Sequence, residues 1–448
     1  MKILVICSKK FYSKIEEVKK ILEQKNIDLT TFNSEKDIVI RKVSGIANIK
    51  VNGHKLKKHE ELNLGKIEIN KDSKLIIDVT YITGRKVQFT VNTLPSSFPA
   101  YSVEGESEYE GDYYMSTYSF DYDDIHYIFK LDKNGKIKYY KKTNMVAFDF
   151  RKEKNSNGQI RYMYLEATQD NFEGTTSLLP CDLVVLDENY KEIDRINYTN
   201  QDGTDLSLEN HTYIYLDDNH YILATYENRK KEIDGENLYV SDCLIEEIKD
   251  GKILWEFNSG DYPEFYKYST KENLDYSVPY QDYIHINSME IDKNDGNLIC
   301  SFRNIDSVLK ISRSNGSLIW ILGGPKDEFG LSEKQKFSKQ HSAISIGNNT
   351  ILLYDNGNAN EKSRILKIKL NPQTKTVEEY TEYDTELYAN MMGSVRVIDE
   401  TNQTYLICYG GGNYKKYSVE EIDYSTGETK FKFTFVFNRK MYNANKMR

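Results

Sequence analysis

Six times after residue 100 a hydrophobic run closes in a short polar turn and resumes as a second run: HYIFKLDKNGKIKYY, CDLVVLDENYKEIDRI, DCLIEEIKDGKILWEF, DSVLKISRSNGSLIWIL, SRILKIKLNPQTKTVEEY and YSVEEIDYSTGETKFKF. The turns centre on Gly135, Tyr190, Gly251, Gly316, Thr374 and Gly427, at intervals of 53 to 65 residues. A unit of that length holds four short strands. A second hairpin precedes each later unit, as in HTYIYLDDNHYILATYE, HINSMEIDKNDGNLICSFR, HSAISIGNNTILLYDNG and GSVRVIDETNQTYLICYGG. Nothing in these units reads as a long crossover helix, so parallel strands are excluded and a solenoid is disfavoured. The expected architecture is a six-bladed β-propeller over residues 99–448, each blade a four-stranded antiparallel sheet. A pair of sandwiches would leave the sixfold period unexplained.

The first 98 residues read differently. Residues 1–33 suggest a short strand (KILVIC), an amphipathic helix over about Tyr12 to Gln24 and a second strand (IDLTTF). From 34 to 93 short alternating runs, IVIRKV, ANIKVNG, KIEIN, KLIIDVTYI and KVQFTVN, predict a small β-sandwich-like domain. Pro95 and Pro99 mark 94–98 as a linker. The fold class expected is mainly all-β, a βα segment and a small β domain ahead of the propeller.

Net charge narrows the partners. With 60 Lys and Arg against 69 Asp and Glu the chain is acidic at −9 and carries no basic stretch, which argues against nucleic acid. No apolar run approaches the eighteen or so residues of a membrane span, and the run Ile3 to Cys7 is too short for a signal peptide. A soluble, cytoplasmic protein is expected, with a homodimer contact through the N-terminal domain left open. Five cysteines at wide intervals, Cys7, Cys181, Cys243, Cys300 and Cys408, give neither a disulfide framework nor a metal knuckle. The last four sit in strand-like runs and read as reduced core residues.

In a propeller the innermost strand of each blade lines the central channel, so equivalent positions meet near the axis. Three of the seven histidines, His211, His285 and His341, fall where the innermost strands of blades three, four and five open. His54, His59, His126 and His220 lie outside that register. Asn287 shares a strand face with His285, and Arg303 closes the partner strand. Singly each histidine is an ordinary hydrogen-bonded residue. Together with Arg303 they read as an anion site, because a fixed guanidinium fork beside imidazoles and an amide suits a sulfate-like or phosphate-like group. Three imidazoles also suit zinc, but an arginine at the same spot disfavours a cation, and no carboxylate is identified in the site. No metal or cofactor is expected. Asp355 and Asn356 either orient a histidine or close a hairpin turn.

At these residues the sequence resembles the bacterial arylsulfotransferases, aryl-sulfate sulfotransferases that use no nucleotide sulfate donor. The likeness is carried by DYIHINSMEIDKNDGNLICSFR, SNGSLIWILGG, KQHSAISI and LLYDNGN with Ser363 and Arg364 beyond it, and more weakly by TLPSSFPAYSVEGE. It covers most of residues 94–448. The resemblance implies a six-bladed propeller with an N-terminal β domain and a ping-pong transfer from an aryl sulfate to a phenolic acceptor. His341, in the Gln340-His341 motif, would be the nucleophile that forms a sulfohistidine. His285 and Asn287 would meet the sulfuryl oxygens beside Arg303, and His211 matches the family's earlier active-site histidine by position. The better-known members are exported and carry a disulfide, and this chain shows the pattern of neither; the βα start also departs from them. Other readings are a metal-dependent, sulfatase-like hydrolase and a non-catalytic binding propeller.

Overall fold

The computed structural model describes residues 3–4, 39–41, 46–51, 53–55, 61–63, 74–92 and, from 94 onward, all but 95–96, 100, 119–124, 170–178, 198–205, 386, 412–417, 436–440, 442 and 448. The chain divides into two compact units, 1–105 with 435–437, and 106–434 with 438–448. In the first unit His54–Lys55, Ile46–Val51, Lys74–Tyr81 and Lys86–Asn92 form one antiparallel sheet in that order. Ile3–Leu4, Val39–Arg41 and Glu61–Asn63 form another, whose first pair is parallel. The helix expected over 12–24 and the runs IDLTTF and KIEIN lie outside the described residues.

The larger unit is a β-propeller arrangement, and among the described residues strands predominate with about 4% helix. Each sheet is an antiparallel meander from the channel outward. Ile286–Ile291, Leu298–Phe302, Ser307–Ile311 and Leu318–Gly323 make one, and His341–Gly347, Thr350–Asp355, Arg364–Asn371 and Thr376–Asp384 the next. Ser394–Asp399, Thr404–Cys408, Val419–Asp423 and Thr429–Phe435 follow in the same order. Before them, the meander Ala147–Lys154 to Glu192–Ile196 and the meander Leu208–Asp217 to Lys252–Asn258 are joined by the bridge pair Cys181 and Leu208 into one eight-stranded sheet. The remaining sheet takes its innermost strand, Ala444–Met447, from the far end of the chain and its other three from Asp112–Ser116, Tyr127–Leu131 and Ile137–Lys142.

The outer hairpins turn at the six positions that the repeat marks. Gly135 has φ 76° and donates its N–H to Asp132 O at 2.9 Å. In the next unit Tyr190 takes φ 62° with its N–H on Asp187 O, also at 2.9 Å. In both turns the aspartate side chain receives the N–H groups of the residues two and four positions on, so the turn survives without its glycine. Core residues lie between successive sheets: Leu183, Leu208 and Tyr213 in one cluster, Ile245, Phe257, Ile286 and Leu309 in the next, then Ile299, Val308, Leu353 and Leu366. Such faces cannot be buried by a single sheet, which is why the units stack. Cys181, Cys243, Cys300 and Cys408 are buried free thiols. Among the described residues no helix is long and apolar enough to cross a membrane.

Candidate active site

The innermost strands are irregular at one level of the channel. Their pairing shifts register between Phe148 and Arg151, Leu208 and Tyr213, Ile286 and Ser288, and His341 and Ile344. A bulge re-aims the side chains within it, and the predicted site residues lie in or beside three of these four. His341 opens its strand, and His285 immediately precedes Ile286–Ile291. His211 differs from expectation: the strand starts at Leu208, and the histidine lies inside the bulge. His285 itself has φ 55°, a left-handed conformation uncommon for a residue with a side chain. That turn of the backbone carries its N–H onto the Asp282 side chain, Oδ1, at 2.9 Å.

The structure brings the predicted residues together. The rings of His211 and His285 meet edge to face with centroids 4.7 Å apart. Asn287 donates its Nδ2 hydrogen to Gln340 O at 2.7 Å, which places it against His341. Arg303 donates its backbone N–H to His285 O at 2.8 Å. Its guanidinium donates to Asn304 Oδ1 at 3.1 Å, and burial pulls it below the ordinary arginine value. The two carboxylates nearest in charge are engaged elsewhere, Asp306 with Lys339 and Asp282 with His285. Among the described residues Arg303 makes no ion pair, and its charge acts on His341 and His285.

His341 is buried with Nδ1 2.7 Å from Asn356 Oδ1 and 3.1 Å from Lys339 O. Both are acceptors, so Nδ1 carries the hydrogen and Nε2 the lone pair. Asn356 is itself held, donating Nδ2–H to Ala389 O at 2.7 Å and Met392 O at 3.0 Å, which turns its oxygen to the histidine. Burial, and after it the charge of Arg303, holds His341 well below the usual histidine range. Gln340, fully buried, ties this strand to the preceding sheet through bonds from Nε2 to Ser301 Oγ at 3.1 Å, Phe302 O at 3.2 Å and Ser307 O at 2.9 Å. Of the pair Asp355 and Asn356, only the asparagine orients a histidine. Asp355 instead binds the N–H groups of Ser338 and Gly357 and the side chain of Arg364.

The site also holds two carboxylates that the sequence did not identify. Glu209 Oε2 lies 2.7 Å from His211 Nδ1, and Asp282 Oδ2 lies 2.5 Å from His285 Nδ1. They escaped sequence reasoning for different causes: Asp282, three residues ahead of its histidine, would face the other side of a regular strand, and Glu209, two ahead, shares a face with His211 but reaches back to its ring and N–H from within a bulge. Only the bulge and the left-handed turn bring these groups into contact. Burial pushes His285 down to about 4 in spite of Asp282. Among the described residues no three His, Cys, Asp or Glu side chains are grouped to hold a metal ion.

Three buried imidazoles beside an arginine, with the His341 ring held neutral, make a site for an anionic group presented to a nucleophilic nitrogen. The sequence profile described as Arylsulfotransferase (ASST) matches residues 100–443. The chain belongs to the arylsulfotransferase family. Membership gives a sulfotransferase-type function, with small-molecule aryl sulfates and phenols as the implied substrates. No curated relative matches this arylsulfotransferase. Among solved structures it is similar to a protein of unknown function from Bacteroides caccae, 12% identical over 76% of this chain and 99% of that one, with a TM-score of 0.45. It is also similar to apo AztD from Citrobacter koseri, 9% identical over 84% of this chain and 96% of that one, with a TM-score of 0.32.

Proposed function

We propose that this arylsulfotransferase moves a sulfuryl group from an aryl sulfate to a phenol in two steps through a sulfohistidine at His341, within a six-bladed propeller formed by residues 99–448. Counting the two meanders of the eight-stranded sheet as separate blades supports that number. The observation that carries the mechanism is the hydrogen-bond pattern at His341, which fixes the proton on Nδ1 and leaves Nε2 as a neutral nucleophile. In this reading Arg303 and Asn287 would serve the three nonbridging oxygens of the sulfuryl group as they gather charge, and donors preorganised toward such oxygens stabilise the transition state. His211 and His285 are left to give a proton to the departing phenolate and to take one from the acceptor. Solvent water, admitted in place of a phenol, would turn the same intermediate to hydrolysis, so the acceptor must compete at the channel mouth.

Intact-protein mass after mixing with an activated aryl sulfate and no acceptor tests this. A gain of one sulfuryl group is expected in the wild type, absent in His341→Ala and lost on adding a phenol. Aryl sulfate left unconsumed even with phenol present would sink the transferase reading in favour of a binding propeller. Steady consumption in water with no adduct would replace it with a hydrolase.

A further inference from the structure

We infer that Glu209 and Asp282 are positioning residues that make His211 and His285 a pair holding one exchangeable proton, while Asn356 keeps His341 outside that pair. The inference rests on the transfer through His341 proposed above. What separates the three rings is the atom facing Nδ1. A carboxylate holds Nδ1–H and also favours the cation formed when Nε2 gains a proton; an amide or peptide oxygen supplies the hydrogen bond without the charge. His211 and His285 have carboxylates, at 2.7 Å and 2.5 Å, and His341 has two carbonyl-type oxygens.

Neither carboxylate is free to turn away. Glu209 also accepts the N–H of His211 at 2.8 Å on Oε2 and that of Thr212 at 2.6 Å on Oε1, and is wholly buried. Asp282 accepts the N–H of His285 on its second oxygen, and its peptide oxygen is held by Asn304 Nδ2 at 2.8 Å. With the two rings 4.7 Å apart, two cations would repel, so the pair takes one proton rather than two. The remaining charged or titratable groups facing the carboxylates are Arg303 and Lys271 beside Asp282, with Tyr226 and the thiols of Cys181 and Cys243 in the surrounding strands.

The proton count closes over one cycle. In the first half-reaction the lone pair on His341 Nε2 forms the N–S bond and the S–O bond to the aryl oxygen breaks with its electron pair. That oxygen takes the Nε2 proton of the pair, leaving a neutral phenol and two neutral rings. In the second, the acceptor oxygen forms its bond to sulfur and returns its proton to the pair, while the N–S electrons go back to His341. No oxidant, metal or further reactant enters.

The donor's kcat/KM in Glu209→Gln and Asp282→Asn, which in a two-step transfer reports the first half-reaction alone, tests the pair with phenol as acceptor, using 4-nitrophenyl sulfate, which needs little protonation to leave, and phenyl sulfate, which needs much. Each variant is expected to lose about 30-fold or more with phenyl sulfate and less than about threefold with 4-nitrophenyl sulfate, since a positioned general acid contributes on the order of 100-fold or more. Equal losses with both donors, or no loss with either, would overturn the inference. If thermal melting shows one variant unfolded, the other decides. Failure of the wild type to transfer from 4-nitrophenyl sulfate would remove the underlying reaction, an outcome distinct from any pattern among the variants.

Discussion

His285 stands beside a cation and away from water, so a second positive charge on its ring is costly, and this cost appears in folding as well as in chemistry. Its folded value of about 4 lies below the ordinary 6.5. Between those values the unfolded chain binds a proton that the folded chain refuses. Stability should therefore be complete above pH 6.5 and fall as the pH drops toward 4, by about 2 kcal/mol at pH 5 from this group. Asp282 is shifted down, so its own contribution is present above the ordinary carboxylate value and lost only in stronger acid, outside this window. Urea unfolding at pH 7 and pH 5 checks the prediction: His285→Gln should lose about 2 kcal/mol less than the wild type across that interval. An equal loss would mean that the ring is not held neutral. His341, also shifted down, keeps its lone pair throughout the neutral range.

Among the elements, the strand that closes the first sheet is secured by charge. Lys446, on the innermost strand Ala444–Met447, places Nζ 3.0 Å from Glu421 Oε2, with side chains 3% and 0% exposed. The same carboxylate receives Tyr113 Oη at 2.7 Å and Ser107 Oγ at 2.8 Å. Three segments of the ring meet on one buried carboxylate. Lys446→Met should leave it uncompensated and cost about 3 to 5 kcal/mol, whereas Lys446→Met with Glu421→Gln should recover much of that loss. Thermal melts of the two variants decide; a double variant no better than the single would show that packing, not charge, holds the strand. The outer hairpins were readable in the sequence because Asp132 and Asp187 cap their turns with a local bond that any strand pair can use. The carboxylates at 209 and 282 were not, since their partners are chosen by irregularities in strands that alternation renders as regular. Asn356 lay between: the sequence left it as either an orienting residue or a turn, and its bonds to Ala389 and Met392, a blade away, settle which.

Across the whole molecule, the period of four strands is what the sequence displays most openly, because each sheet must bury both faces against neighbours and so repeats the same hydrophobic code. His211, His285 and His341 were visible for the same reason, as departures from that code at equivalent places. Stacking also accounts for the thiols. Cys181, Cys243, Cys300 and Cys408 sit between or within sheets, and burial raises each thiol above its ordinary value. A thiol that is both enclosed and protonated reacts slowly. With Cys7 replaced by serine, the native protein should leave a colorimetric disulfide reagent unreacted for hours and titrate four thiols only after denaturation; rapid reaction of any in the folded state would mean that the sheets open locally.

The strand Ala444–Met447 also sets a clock. On a ribosome, Asp112–Ser116 appears roughly 330 residues before the strand that pairs with its inner side, and at about 5 to 20 residues per second that wait lasts from about a quarter of a minute to a minute. During it the nascent chain shows a bare edge, the kind of surface that recruits other strands. How much enzyme a cell recovers then depends on the speed of translation through the intervening sheets, a property of the messenger as much as of the protein.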